Sequence, residues 1–196
     1  MWNEDIVLEN SVARVRSITA ADQEKLALVT PFEEVWRYMV VCAYTPEELR
    51  AYMADALTQR ENRARYTFVV EDVKTGKVVG ATAFGNYSAG DKRIEIGWTW
   101  LTTGLQGSGI NSNVKALLMA YAFDTMGLER VEFKTDVLNL RARAALRKVG
   151  AVEEGVMRSH TLMPTGRRRD TIYYSVLKNE WPAVRAMHAE KLGVSF

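Results

Sequence analysis

The chain has 196 residues, of which 47% are hydrophobic and 26% are charged. We expect one domain over residues 1–196, with a real core, so disorder, collagen-like repeats and a disulfide-built miniprotein are excluded. The 26 Lys and Arg residues nearly balance the 24 Asp and Glu residues, for a formal charge of +2. This balance gives little support to a nucleic-acid-binding protein, which would use many basic residues to neutralise phosphates.

Patterning and capping residues predict an α/β domain with a mixed sheet. Val12 to Ile18 alternates apolar and polar residues, as a strand with one buried face does. The run Thr45-Pro46-Glu47-Glu48 places a capping Thr, a Pro at the first helical position and a Glu at the third. The predicted strands are 12–18, 66–71, 77–84, 93–101, 130–137, 152–163 and 170–177, and the predicted helices are 20–29, 46–57, 112–125, 140–149 and 180–192.

The sequence also indicates where in the cell the protein is expected. Cys42 is the single cysteine, so a disulfide and a multi-cysteine zinc site are excluded, and its apolar surroundings favour a core position over a catalytic thiol. Glu4 and Asp5 stand where a signal peptide would be basic. No apolar run approaches the ~20 residues that span a bilayer. We therefore expect a cytoplasmic protein without a membrane partner.

A glycine-rich loop, residues 106–111, lies between a predicted strand and a predicted helix. Its glycines let backbone amides converge near a helix N-terminus, where a phosphate or pyrophosphate binds well. A Walker A loop requires a Gly-Lys pair, and the nearest lysine, Lys115, lies well inside the helix. A dinucleotide fingerprint requires a third glycine or an alanine at position 112, which is Ser112. Both nucleotide motifs are therefore excluded.

The same loop resembles the acyl-CoA loop of the GNAT acetyltransferases, Gln/Arg-x-x-Gly-x-Gly/Ala, through Gln106 and Gly109. Asn111 departs from the small last residue, although Asn is a good N-cap from which the helix could start. The resemblance spans about residues 94–177, where a series of segments follows the same order as in the RimJ/RimL-type branch. The further matching segments are Ile94–Trp98, Gly127–Val131, Asn139–Arg143, Lys148–Ala151, Glu154–Arg158 and Asp170–Ser175.

The resemblance implies a GNAT acyl-CoA N-acyltransferase fold, whose central sheet is splayed and flanked by helices, and acetyl-CoA as co-substrate without a metal. In that fold pantetheine lies in the gap beside the strand that ends at Leu101, bonded like an added strand. An amide in a bulge from Trp98 to Trp100 would polarise the thioester carbonyl. Asn139 matches a family residue that faces pantetheine, and it equally suits a plain N-cap. The implied cofactor-binding residues are Trp100, Leu101, Thr102, Gln106, Gly107, Ser108, Gly109, Ile110, Asn111 and Asn139.

Glu95 is the candidate general base, because amine attack on a thioester requires a neutral amine. It alternates with Ile94 and Ile96, so it points to the opposite face of its strand. A solvated or ion-paired carboxylate is the alternative interpretation. The general-acid positions of the family, a Tyr and, in the RimJ/RimL-type branch, a Ser, are matched here by Leu146 and Ala142. Tyr173, Tyr174 and Ser159 are the remaining substitutes.

Other chemistry-bearing residues have structural interpretations. His160 suits a hydrogen-bonded structural role better than a catalytic one, and His188 is expected at the surface. Trp98 and Trp100 share a strand face, which indicates core or cleft wall rather than a base-stacking platform. Arg167–Arg169 form a basic hairpin tip that could meet an acidic peptide, RNA or the 3′-phosphate of CoA, although a solvated tip is favoured over any one of these.

Three functions remain open at this stage. The resemblance favours acetyl transfer from acetyl-CoA to a protein N-terminal α-amine. A small amine, such as a polyamine or an aminoglycoside, is the second acceptor class, because acceptor loops vary most in this fold. A non-catalytic acyl-CoA-binding sensor is the third function, kept open by the missing acid residues. The branch commonly forms homodimers, but no residue in the chain establishes one.

Overall fold

An eight-stranded mixed sheet organises the structure, a computed structural model that describes residues 1–30, 36–41, 43–105 and 107–193. The strand order is β1-β2-β3-β4-β5-β6-β8-β7, and only β5 and β6 pair in parallel. The strands are β1 (Val7–Glu9), β2 (Ala13–Ser17), β3 (Arg65–Asp72), β4 (Lys77–Ser88), β5 (Arg93–Leu101), β6 (Arg130–Asp136), β7 (Val152–Leu162) and β8 (Arg168–Leu177). The helices are α1 (Gln23–Val29), α2 (Pro46–Glu61), α3 (Ile110–Ala120), α4 (Leu140–Lys148) and α5 (Trp181–Leu192).

Capping residues fix the helix starts. Thr45 accepts a hydrogen bond from the Glu48 amide, and the Glu48 carboxylate accepts from the Thr45 amide, which completes the predicted capping box of α2. Asn139 caps α4 by accepting from the Ala142 amide at 3.0 Å. These predicted starts are confirmed.

The structure adds one strand to the predicted elements and moves the start of one helix. The strand β1 was missed because it is only three residues long, and it is held by pairing with β2. Helix α3 begins at Ile110 rather than at Ser112, because Gly109 is the N-cap, with φ +86°. A left-handed conformation at that point suits glycine, so Asn111 lies inside the first turn.

Two separate cores cover the two faces of the sheet. The first core packs α3 and α5 against one face, with Ile94 and Ile96 of β5 and Phe133 of β6 buried in it. The second packs α1 and α2 against the opposite face, around Trp36 and Trp100. Side chains alternate along each strand, so β5 carries Glu95 on the face opposite Ile94 and Ile96. Cys42, expected in a core, lies outside the described residues.

The parallel pairing of β5 and β6 is short. It comprises only three residue pairs: Arg93 with Arg130, Ile94 with Val131 and Glu95 with Glu132. Beyond these pairs β5 continues to Leu101 on its pairing with β4, while β6 continues to Asp136 on its pairing with β8. The two strands therefore diverge, and the central sheet is splayed as expected. Across the described ranges, no helix has the length and hydropathy of a membrane span.

Close approach of two backbones explains Gly80 and gives a stability prediction. A Cβ at this position would lie 2.1 Å from the Trp100 carbonyl oxygen and 2.9 Å from the Leu101 Cα. Because both atoms belong to backbone, β4 and β5 would have to separate. We expect Gly80→Ala to lower the free energy of unfolding by about 1–3 kcal/mol, measured by urea denaturation.

Gly90→Ala is the matched control. A Cβ there meets nothing within 4 Å, so we expect unchanged or slightly higher stability. Equal stabilities of the two variants would contradict the close approach of β4 and β5 at Gly80.

Candidate active site

A deep cleft opens where β5 and β6 diverge. Its volume is about 880 Å³, within the range of small-molecule sites. Residues of β5, β6, β8 and α4, the start of α3 and the segment 38–40 line it. The cleft therefore passes through the plane of the sheet, with α3 on one side and Glu95 on the other.

A β-bulge lies in the β5 wall of the cleft. Ala83 pairs with Gly97 and Ala81 pairs with Trp100, so β5 contains one extra residue between these pairs. Trp98 has φ +49°, which is uncommon for a bulky residue and typical of strained functional positions. The bulge lies within the predicted Trp98–Trp100 span. The oxyanion role of its amides stays a prediction.

Beyond the bulge, successive backbone amides of β5 point alternately to β4 and to the cleft. The Thr102 amide donates to the Val79 carbonyl at 2.8 Å, so Thr102 offers a cofactor its side chain and not its N–H. Amides of successive strand residues point to opposite edges, so the Leu101 amide faces the cleft. Trp100 packs its ring against Trp36 in the second core while also lining the cleft.

The glycine loop enters the cleft at the start of α3. Gly107 and Gly109 have positive φ, and with Asn111 they line the cleft. The first helical bond runs from the Asn113 amide to the Gly109 carbonyl, and the Ile110 amide donates to the Ser108 hydroxyl at 3.4 Å. The amides of residues 111 and 112 therefore suit an anion. The Ile110 side chain is buried in the first core. Gln106 lies outside the described residues.

A second cavity of about 300 Å³ adjoins the loop and contains Ser108. Lys148 and Lys191 also line it, which suits a phosphorylated ligand. His188 lies here too, and its expected surface position was wrong: the residue is 2% exposed, with Nε2 3.1 Å from the Val149 carbonyl oxygen. Burial lowers the pKa of His188 below its usual value, although the Val149 carbonyl opposes this.

Glu95 is buried in the cleft wall with one oxygen engaged. Its Oε2 accepts from Lys134 Nζ at 2.7 Å and from Asn86 Nδ2 at 2.6 Å. Oε1 has no donor in the described part of the chain, and a Cβ at Gly97 would lie 3.1 Å from it. The carboxylate is therefore ion-paired through Oε2, and Oε1 can accept a proton.

Comparison with known proteins agrees with this geometry. A family model described as acetyltransferase (GNAT) domain matches residues 13–152. The chain belongs to the GNAT acetyltransferase family. Proteins of this family use acetyl-CoA as the acyl donor.

Relatives and solved structures support the same assignment. YdaF of Bacillus subtilis (strain 168), provisionally named a ribosomal N-acetyltransferase, is 34% identical over 54% of this chain, but the match spans only 57% of that protein. A crystal structure from T. thermophilus, provisionally described as an acetyltransferase, is 32% identical over 98% of this chain and 100% of its own, with a TM-score of 0.88. The crystal structure of a GCN5-related N-acetyltransferase from Brucella melitensis is 26% identical over 95% of this chain and 85% of its own, with a TM-score of 0.87.

Both family positions for a general acid lie in the cleft of this GNAT protein. Leu146 and Ala142 line it, and neither carries a proton donor. Of the substitutes, Tyr174 is fully buried and its hydroxyl donates to Glu153 at 2.8 Å. The Ser159 hydroxyl accepts a hydrogen bond from Arg168 Nε at 2.9 Å. Neither Tyr173, Tyr174 nor Ser159 is among the described residues that line the cleft.

Lys115 is a cleft residue that sequence reasoning did not select. It lies on α3 beneath the bulge, with Nζ 3.4 Å from Thr99 Oγ1 and 5.6 Å from the centre of the Phe133 ring. Burial lowers the pKa of Lys115 to about 8. Lys115 precedes the apolar residues Leu118 and Met119 by three and four positions, a helical spacing that was a usable signal for its burial.

The three arginines of the last hairpin have different environments, so the favoured solvated tip was wrong as a description of all three. Arg168 is exposed and bonds Ser159, whereas Arg167 pairs with the fully buried Asp136. Arg169 is buried and lines the cleft. His160 makes a 3.1 Å contact with Thr171, consistent with the expected hydrogen-bonded role.

The cleft is strongly basic although the chain is nearly neutral. Among the described lining residues Glu95 is the one carboxylate. The basic lining residues are Lys115, Lys134, Arg141, Lys148 and Arg169. No cluster of His, Cys, Asp and Glu able to hold a metal occurs within the described ranges. The charge in the cleft therefore suits anionic ligands.

Lys115 gives a pH-dependent stability prediction. Its pKa is about 8 when folded against a reference of 10.5, so at pH 7 the folded protein carries a disfavoured buried ammonium group. We expect Lys115→Met to raise the free energy of unfolding at pH 7 by on the order of 3 kcal/mol. Between pH 8 and 10.5 the unfolded wild type binds more protons than the folded one, so its stability rises and the difference narrows.

Urea denaturation at pH 7 and pH 10 measures both effects. Lys25→Met, at an exposed position of α1, is the control, for which we expect little difference at either pH. A destabilised Lys115→Met variant at pH 7 would contradict the buried-charge assignment.

Proposed function

We propose that this chain transfers the acetyl group of acetyl-CoA directly to a primary amine, and that a protein N-terminal α-amine is the favoured acceptor. The observation that carries the proposal is the three-pair β5–β6 contact, which opens a cleft with Glu95 in its wall. The N-terminal acceptor rests on the resemblance to the RimJ/RimL-type branch. The provisional name of YdaF as a ribosomal N-acetyltransferase supports the same class.

The residues around the cleft fit a CoA thioester. The open β5 edge at Leu101 suits the amides of pantetheine, as an added strand would. The amides at the start of α3 and the ammonium groups of Lys148 and Lys191 suit its phosphates. Asn111 Oδ1 is buried without a partner among the described residues, so it can accept from a ligand donor. When bound, acetyl-CoA supplies the acetyl group as an activated thioester.

Glu95 receives a proton from the acceptor amine, directly or through one water. Its free Oε1 provides the acceptor atom, while Lys134 and Asn86 fix the carboxylate through Oε2. The neutral amine forms the new C–N bond at the thioester carbonyl, the C–S bond breaks, and the electron pair leaves with sulfur. The nitrogen then loses a second proton, which the thiolate takes up. An amide of the bulge, near Trp98, stabilises the charge on the carbonyl oxygen.

Lys115 stabilises the departing thiolate. The Leu146 and Ala142 positions offer no acid, but a thiol with a pKa near 8.5 leaves without strong acid help. Positive charge in a buried cleft favours the anion more than it would in water. Lys115→Met therefore combines higher stability at pH 7 with a lower kcat, which separates this role from a structural one.

The other functions are distinguishable. A polyamine or aminoglycoside would bring several cations into a cleft whose lining is already basic, so these acceptors are disfavoured. The missing acid residues are the observation that keeps a non-catalytic acyl-CoA-binding module open. Homodimerisation stays a prediction from the resemblance.

Acetyl-CoA-dependent thiol release tests the proposed function across N-terminal peptides, polyamines and aminoglycosides. We expect thiol release with peptides. We also expect thermal stabilisation by CoA, because a ligand at 100 times its Kd adds about 2.7 kcal/mol to the free energy of unfolding. Stabilisation without release from any acceptor would instead support the binding module. Failure of CoA to stabilise the protein would reject the cofactor assignment.

Removal of the base gives the sharpest catalytic test. We expect Glu95→Gln to lower kcat by roughly 10²-fold, since the amide cannot receive the amine proton. The control is Glu132→Gln, because Glu132 is the register partner of Glu95, is also buried and ion-paired, and does not line the cleft. An unchanged kcat of Glu95→Gln at saturating substrates would remove Glu95 from this role.

A further inference from the structure

Arg169 is a buried cation on the acceptor side of the cleft. It is 7% exposed and lines the cleft, as does Thr171 two residues along β8. Ile172 belongs to the first core, so the odd-numbered residues of β8 point to the opposite face of the sheet. Glu95 points to that face as well. Arg169 therefore lies on the side of the sheet that carries the base, away from α3 and its glycine loop.

The guanidinium of Arg169 has no carboxylate partner in the described part of the chain. Its Nε is buried without any hydrogen-bond acceptor, and Nη1 makes one long bond of 3.4 Å to the Tyr38 carbonyl oxygen. The acids on this face are already engaged, Glu95 with Lys134 and Asp136 with Arg167. A buried charge that makes no direct ion pair is destabilising, so its presence points to an anion that binds there.

The charge of Arg169 persists in this environment. Burial lowers its pKa below the ordinary value, whereas the carboxylates of Asp136 and Glu95 raise it. Arginine remains protonated in proteins even after such shifts. Glu95 and Arg169 line the same cleft from one face of the sheet, so an acceptor whose amine reaches Glu95 can place an anionic group toward Arg169.

We propose that the acceptor amine also carries a carboxylate group, and that Arg169 binds this carboxylate. The inference rests on the proposed acetyl transfer to an amine. A guanidinium binds a carboxylate through two parallel hydrogen bonds, which adds geometric selectivity to charge. The Thr171 hydroxyl, on the same face, provides a further polar group beside it. The carboxylate comes from a free amino acid or from an acidic side chain near a peptide N-terminus.

Matched acceptor pairs test the proposal by binding and by turnover. One arm compares free amino acids with their α-amides, and the other compares C-terminally amidated peptides with Glu or Gln at the second position. Binding is measured by calorimetry in the presence of CoA, and turnover by thiol release from acetyl-CoA. In one arm we expect the carboxylate member to bind about 10²-fold more tightly, with a similar ratio in kcat/KM.

Arg169→Gln should remove that preference, and Arg169→Lys, which keeps the charge without the fork, should keep part of it. Arg168→Gln is the matched control, because Arg168 is exposed, bonds Ser159 and lies outside the cleft lining. Thermal stabilisation by CoA checks that each variant is folded. If Arg169→Gln does not fold, the wild-type preference and the Arg169→Lys variant carry the test.

The outcomes separate this inference from the proposed function. Equal binding of both members of each pair, or a preference that survives in Arg169→Gln, overturns the carboxylate site even if amines are acetylated. An Arg169-dependent preference without thiol release supports the carboxylate site and rejects acetyl transfer to these amines. The arm that shows the preference identifies the source of the carboxylate.

Discussion

The structure depends on how soon the parallel pairing of β5 and β6 ends. Three residue pairs hold the two strands together, and beyond Glu95 each strand is held only by its other neighbour. An interrupted sheet normally exposes unpaired backbone groups, which is unfavourable unless a ligand or water satisfies them. Here the interruption forms the cleft, and the bulge at Trp98 directs the wall of β5 toward it.

The two cores make this interruption tolerable. One core packs α3 and α5 on one face of the sheet, and the other packs α1 and α2 on the opposite face. The first core contains side chains of both β5 and β6, so packing as well as the short ladder holds the two halves of the sheet together. The cleft can therefore pass between the strands and bring the loop of α3 and the carboxylate of Glu95 to one cavity.

Charge distribution, rather than net charge, defines the ligands of this protein. The whole chain has a formal charge of +2, yet the described cleft lining contains five basic residues and one acid. Backbone amides of the glycine loop add to this field without any side-chain cation. Lys115 and Arg169 remain buried without a carboxylate partner among the described residues, one on each side of the sheet, which is consistent with separate anionic groups of donor and acceptor.

Local patterns predicted much of the site because they act over short distances. Alternation with Ile94 and Ile96 placed Glu95 on the correct face, and Asn139 formed the expected cap of α4. Two errors were also local: the left-handed Gly109 displaced the predicted start of α3, and His188, which follows Val184 and Trp181 at helical spacing, is buried rather than exposed. Here the apolar stripe of α5 was a signal that was overlooked.

The sequence by itself determined the order of most strands and helices, the glycine loop before α3 and the resemblance to the GNAT family. These features depend on alternation, capping and turn residues, which act within a few positions of the chain. Only the tertiary structure decided that Lys134 pairs with Glu95, that Lys115 lies beneath the bulge and that Arg169 is buried while Arg168 is exposed. Those outcomes depend on strand register and on the depth at which side chains far apart in sequence meet, which no local pattern encodes.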